Sequence, residues 1–302
     1  MIIEDEGERD ILTRATDRNE NSRLGAAATT VAVTAWGFGN VLVKVIPLSG
    51  PTISMQRLWL GTGVALIVLY VSGHRINWSD FRLSMAGGVS FGLNVILFFT
   101  AIKYTSPTAA TVIETLQPAL LLTVVGGLFG EKVSSRAVIG ALVALAGAVV
   151  VVLGVPAAGH DSLFGDFLAF LALLSYCAYF VTSKRARRRV GTIEYQVAIM
   201  AIAAVLVTPI VLLTGSGING SVNDWVLVLF MAAVPGGGHY LVNWAHYHTE
   251  LSTISILTLL TPVATMLAAY PLLGESVTVA QVVGTAVVIG ALSYLVIGAQ
   301  RS

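Results

Sequence analysis

One carboxylate stands inside an apolar stretch. Glu114 occurs in Thr111-Val112-Ile113-Glu114-Thr115-Leu116-Gln117-Pro118, seven residues after Pro107. In a helix that starts at Pro107, a rise of 1.5 Å per residue puts it about 10 Å below the helix end. A carboxylate at that depth in hydrocarbon has to be paired, protonated or in contact with water. Two roles fit. It binds a substrate ammonium group or carries a coupling proton, or it is a neutral or paired acid that locks helices together.

Other polar groups interrupt the apolar blocks. Arg57 lies about five residues inside a second block, where its planar fork could hold a substrate carboxylate. Snorkelling to the interface or a structural ion pair is the competing role. Trp36, Asn40 and Lys44 are spaced i, i+4, i+8 and share one helix face. His239, Asn243 and His246 form a second stripe, with Tyr240, Trp244 and Tyr247 beside it. His239, Tyr240, Asn243 and Trp244 are expected to line a pocket, the rings for stacking and the polar groups for orientation. Asn94, Tyr176 and Tyr179 add polar tips at similar depth. Asn40 and Asn94 could equally be hydrogen-bonding glue between helices. Pro118 and Pro262 each remove a backbone hydrogen bond and are expected to kink a helix and shape the site. The histidines lack the Asp, Glu and Cys company of a metal carrier, so no metal and no cofactor are expected.

Several chemistries find no support. No Gly-rich phosphate loop ending in Gly-Lys-Ser/Thr is present, so ATP hydrolysis is not the expected drive. No His-Glu-x-x-His box or Gly-x-Ser-x-Gly elbow is present, which weighs against an intramembrane hydrolase. The net charge of +1 suggests no nucleic-acid partner. The single cysteine, Cys177, excludes an intramolecular disulfide.

The elements that position these residues are long apolar helices. Apolar residues make up 56% of the chain and charged ones only 11%, against about 25% in soluble domains. Mean hydropathy is +0.83. The apolar residues come in blocks of about 20, the length that crosses a bilayer. Ten such spans are expected, near 24–46, 52–71, 82–103, 107–129, 135–153, 163–184, 192–213, 224–245, 253–273 and 278–298. Residues 1–23 hold Arg9, Arg14, Arg18 and Arg23 among seven acids and read as a flexible cytosolic tail, not a signal peptide. With that tail inside the cell, fourteen of the seventeen Lys and Arg residues fall on the cytoplasmic side. Both termini are therefore expected in the cytoplasm of an inner-membrane protein, with the Lys184–Arg189 run beside anionic lipid.

The chain repeats itself. Ala101-Ile102-Lys103-Tyr104-Thr105 pairs with Ala245-His246-Tyr247-His248-Thr249 at an offset of 144. Pro118 pairs with Pro262, Gly130-Glu131 with Gly274-Glu275, Val133 with Val277 and Gly140 with Gly284 at the same offset. Lys44 pairs with Lys184 and Gln56 with Gln196 at 140. The domains read as 24–155 and 156–302, five spans each. An odd number of spans makes the second half enter from the opposite side, so the repeats are expected to be inverted. Substrate sites in such folds lie near the midplane between the repeats. The mate of Glu114 is Thr258, so the acid is not shared by both halves. The turns Gly130-Glu131 and Gly274-Glu275, followed by Ser134 and Thr278, read as helix caps.

Trp36-Gly37, Arg57 and the doubled pattern A…TS/LS…P…GE resemble the EamA-type drug/metabolite transporter superfamily across residues 24–298. The second half departs from it, with Tyr176-Cys177 where Trp36-Gly37 sits. The resemblance implies an all-α membrane protein of ten transmembrane helices in two inverted five-helix repeats. It also implies a carrier that often exports amino acids or other metabolites. The expected function is export of a small amphiphilic metabolite by alternating access, with membrane lipid around it and a homodimer as an open option. Proton-coupled efflux of drugs or cationic metabolites through Glu114 is the second reading. A non-transporting membrane enzyme or lipid-handling protein is the third. A channel lacks any ring of acids or filter sequence.

Overall fold

The computed structural model describes residues 3–120, 135–154, 163–215, 220–245 and 257–300. All the described regular elements are helices. They are α1 (Ile3–Val45), α2 (Gly50–Val71), α3 (Trp78–Tyr104), α4 (Pro107–Glu114) and α5 (Gln117–Leu120). After them come α6 (Ser135–Leu153), α7 (Leu163–Ala186), α8 (Thr192–Leu213), α9 (Val222–Ala245), α10 (Thr261–Leu273) and α11 (Val279–Gln300). Six helices are long and apolar enough to cross a membrane: the Arg23–Val45 part of α1, then α2, α3, and parts or all of α7, α8 and α9. Val138–Val151, Thr261–Leu273 and Val279–Tyr294 form shorter apolar helices. Outward faces carry side chains such as Ile67, Val205 and Leu267, each more than half exposed, as a surface in contact with lipid requires.

Local chemistry sets the ends of these helices. Ser49 caps α2 by accepting from Thr52 N, Asn77 and Asp80 form a reciprocal capping box on α3, and Ser106 caps α4 ahead of Pro107. Gly274 ends α10 in the left-handed region at φ 65. Thr278 Oγ1 then accepts from Gln281 N at 3.2 Å to open α11. The cap expected in the second half is thus present, and its first-half copy lies outside the described residues. The polar residues expected as a flexible tail continue α1 back to Ile3. A helix already nucleated by its apolar part extends at little cost per residue.

The fourth span departs from expectation. It was expected as one helix over 107–129, with a kink. Instead α4 stops at Glu114, Thr115 and Leu116 form a turn, and α5 starts at Gln117. Leu116 N bonds Ile113 O at 3.1 Å, and Leu120 N bonds Leu116 O at 3.1 Å. The second half repeats this, with Leu260 N on Leu257 O at 3.0 Å and Ala264 N on Leu260 O at 3.0 Å. Every residue of the second set is its first-half counterpart plus 144. The cause is shared: Pro118 and Pro262 have no N–H for the carbonyl four residues back. The remainder of that span, 121–129, lies outside the described residues.

The halves pack by exchange. Helix α3 packs on α7 and α8, while α9 packs on their counterparts α1 and α2. Helix α4 meets α7, as α10 meets α1. The pairs α2–α8, α4–α10 and α6–α11 join an element to its own counterpart. Small residues let the backbones approach. A Cβ at Gly284 would stand 2.7 Å from Gly147 O and 2.9 Å from Val151 N, so α6 and α11 touch there through their backbones. Gly284→Val forces the two helices apart. It is expected to destabilise the protein by about 1–3 kcal/mol, the range for overpacking. Thermal unfolding in detergent checks this, and an unchanged Tm contradicts the close crossing.

Candidate substrate cavity

The breaks at Glu114 and Thr258 open onto one cavity of about 330 Å³ between the halves. Equivalent positions from both repeats line it. Trp36 and Asn40 of α1 face Tyr176 and Phe180 of α7, at the offset of 140. Glu114, Thr115 and Gln117 face Thr258, Leu259 and Thr261, and Phe91, Asn94, Val95 and Phe98 of α3 share the wall with Pro235, His239 and Val242 of α9. Phe91, Val95 and Phe98 are the 144-offset mates of Pro235, His239 and Val242. The cavity therefore lies where equivalent positions of the two halves meet.

Its walls are alike in position and unlike in charge. Glu114 opposes Thr258. Asn94 donates through Nδ2 to Glu114 Oε1 at 2.8 Å and to Ala172 O at 3.1 Å. Asn40 donates to Thr111 Oγ1 at 3.1 Å, tying α1 to α4. Arg57 of α2 lies with its guanidinium carbon 5.2 Å from the centre of the Phe99 ring. Both Arg57 and Glu114 line the cavity, yet they form no ion pair within 4.0 Å. Arg57 donates no hydrogen bond to any described residue, and Glu114 accepts one, from Asn94. An acid and a cation that line one cavity without a direct ion pair can each take an opposite charge from an occupant.

Aromatic rings line the same cavity. The Trp36 indole donates to Pro235 O at 2.9 Å and packs on His239 with ring centres 4.8 Å apart. Phe91 meets His239 edge-on at 6.4 Å. Gly39 lets α1 lie against Pro235: a Cβ there would fall 2.8 Å from the Pro235 ring.

Seven of the residues singled out in the sequence come together here: Trp36, Asn40, Arg57, Asn94, Glu114, Tyr176 and His239. Tyr179 and Tyr240 do not line the cavity. Tyr179 sits behind the wall, stacked on Tyr176 at 5.9 Å and tilted against Phe91 at 5.2 Å. Tyr240 follows His239, and one residue along a helix turns the side chain by about 100°. The side chains of Pro118, Asn243 and Trp244 lie outside those described. Lys44 belongs to the scaffold, its ammonium on Ile102 O at 3.0 Å and Thr105 O at 2.8 Å, while Lys103 returns the contact to Ile46 O. Each lysine thus caps the negative end of the other's helix. Sequence reading missed Phe91, Phe98, Phe99, Thr111, Thr115 and Gln117. Thr111, Thr115 and Gln117 were detectable, lying within four residues of Glu114.

Among the described residues no cluster of His, Cys, Asp or Glu could hold a metal ion.

Residues 23–153 and 163–297 each match the EamA-like transporter family. The chain belongs to that family. As an EamA-like protein it is a multi-pass membrane transporter, and the two matched segments coincide with the two packed halves. Two Archaeoglobus fulgidus proteins, each described as an uncharacterized transporter, are 24% and 25% identical over 265 and 268 residues. The alignments cover 86% and 88% of this chain and 94% of each relative. The Bacillus subtilis uncharacterized transporter YyaM is 27% identical over 77% of this chain and 80% of its own length. A crystal structure shares the fold with a TM-score of 0.66 at 19% identity, over 94% of this chain and 98% of that one.

Proposed function

We propose that this EamA-like transporter exports a small zwitterionic metabolite, an amino acid in the simplest case, by alternating access through the central cavity. What supports this is an acid and a cation, Glu114 and Arg57, lining one cavity without a direct ion pair. A zwitterion gives an ammonium group to Glu114 and a carboxylate to Arg57, while Trp36, His239 and Phe91 hold its body. A volume of about 330 Å³ is at the small end of ligand pockets, about 300–1,000 Å³, and suits one small molecule. The repeats are inverted, ten crossings in all, and the exchange of contacts between halves supports a two-fold relation in the membrane plane. The positive-inside bias supports an inner-membrane location with both termini in the cytoplasm. One half rocks against the other, so that the cavity faces each side in turn.

The test is efflux from proteoliposomes loaded with a mixture of amino acids. Saturable, selective release is the expected result. Release of cationic compounds alone would move the reading to cation efflux through Glu114. No protein-dependent flux of either class would remove the carrier.

A further inference from the structure

We infer that Asn94 is a positioning residue for Glu114, which hydrogen-bonds the carboxylate and anchors it to the backbone of the other half; the inference rests on the proposed role of Glu114. Its amide nitrogen has two hydrogens and both are spent inside the protein, one on Glu114 Oε1 and one on Ala172 O of α7. No donor remains for a substrate. The residue is 6% exposed. The amide therefore fixes where the carboxylate stands and joins it to α7 across the interface between halves.

The repeat supplies an internal control. Adding 144 to Asn94 gives Gly238, and adding it to Glu114 gives Thr258. Gly238 faces the corresponding helix of the other half: a Cβ there would meet Trp36 Nε1 at 2.7 Å and Ala32 O at 3.3 Å. Ala32 is the 140-offset mate of Ala172. The same helix contact thus forms in the second half with no amide in it. In that copy the tether is the Trp36 indole, which donates to Pro235 O at 2.9 Å. A tether that also reaches a carboxylate occurs only beside the acid. A hydrogen bond to the carboxylate fixes its rotamer as well as joining the helices, which accounts for an amide here in place of the indole.

The experiment reads the carboxylate itself, with no transported molecule present. Infrared difference spectra of the protein in lipid, parent against Glu114→Gln, isolate the Glu114 carboxylate band. Asn94→Leu keeps the volume and removes both hydrogen bonds, and Asn94→Ala serves if the leucine variant does not fold. The expected result is a displaced Glu114 band in the Asn94 variant. Asn40→Leu, which removes a bond to Thr111 on the same helix as Glu114, should leave the band in place. A lowered Tm with an unmoved band in the Asn94 variant overturns the inference and makes Asn94 a simple tether. Flux through Glu114→Gln is measured separately, so a failure of the transport role is distinct from a failure of this one.

Discussion

Glu114→Gln should fold, insert and lose transport. The amide has the shape of the carboxylate and keeps an oxygen for the Asn94 donor at 2.8 Å. Only the charge is removed. A hydrogen bond to a charged group contributes about 1.5–3 kcal/mol, and 1.4 kcal/mol is a factor of ten in affinity. Loss of the ammonium contact should therefore weaken substrate binding roughly 10- to 100-fold. Stability should hold, because the amide fills the same volume and keeps the Asn94 contact. Concentration-dependent efflux from proteoliposomes, with thermal unfolding alongside, checks both parts. Parental flux at every concentration would make Glu114 a structural acid.

Arg57→Lys should keep the positive charge and still impair the carrier. Lysine brings a point charge and cannot present a planar fork to a carboxylate. It also gives up the guanidinium contact with Phe99, whose ring centre lies 5.2 Å from the guanidinium carbon. A bidentate contact reduced to a single one should raise KM about tenfold with little change in maximal flux. Arg57→Met removes the charge and should bring flux to background. An unchanged KM in the lysine variant would leave Arg57 as a packing and interface residue.

The helices and their doubling were legible because a bilayer imposes one rule on every span. Apolar blocks of the right length, the paired Pro118 and Pro262, and Glu114 without a partner at position 258 were all visible before any fold was known. The break at Thr115-Leu116 was less so. A proline marks where a hydrogen bond is lost, but the surrounding packing decides between a bend and a stop. Asn94 illustrates the main gap. Its type and depth fitted both glue and ligand contact, and only the geometry shows both amide hydrogens spent within the protein. Tyr179 and Tyr240 lie off the cavity lining for a related reason. Helical spacing tells which residues share a face and not which face meets the cavity. The phenylalanines of the wall, Phe91, Phe98 and Phe99, carry no signal that separates them from ordinary apolar packing.

The most direct measurement compares the metabolites released by living cells. The protein and its Glu114→Ala variant are expressed in a bacterial host fed mixed dipeptides, and the media are read by mass spectrometry. The expected result is that particular amino acids accumulate outside cells with the parent and not with the variant. Identical media, with both proteins folded in the membrane, would contradict amino-acid export through a Glu114-dependent cavity.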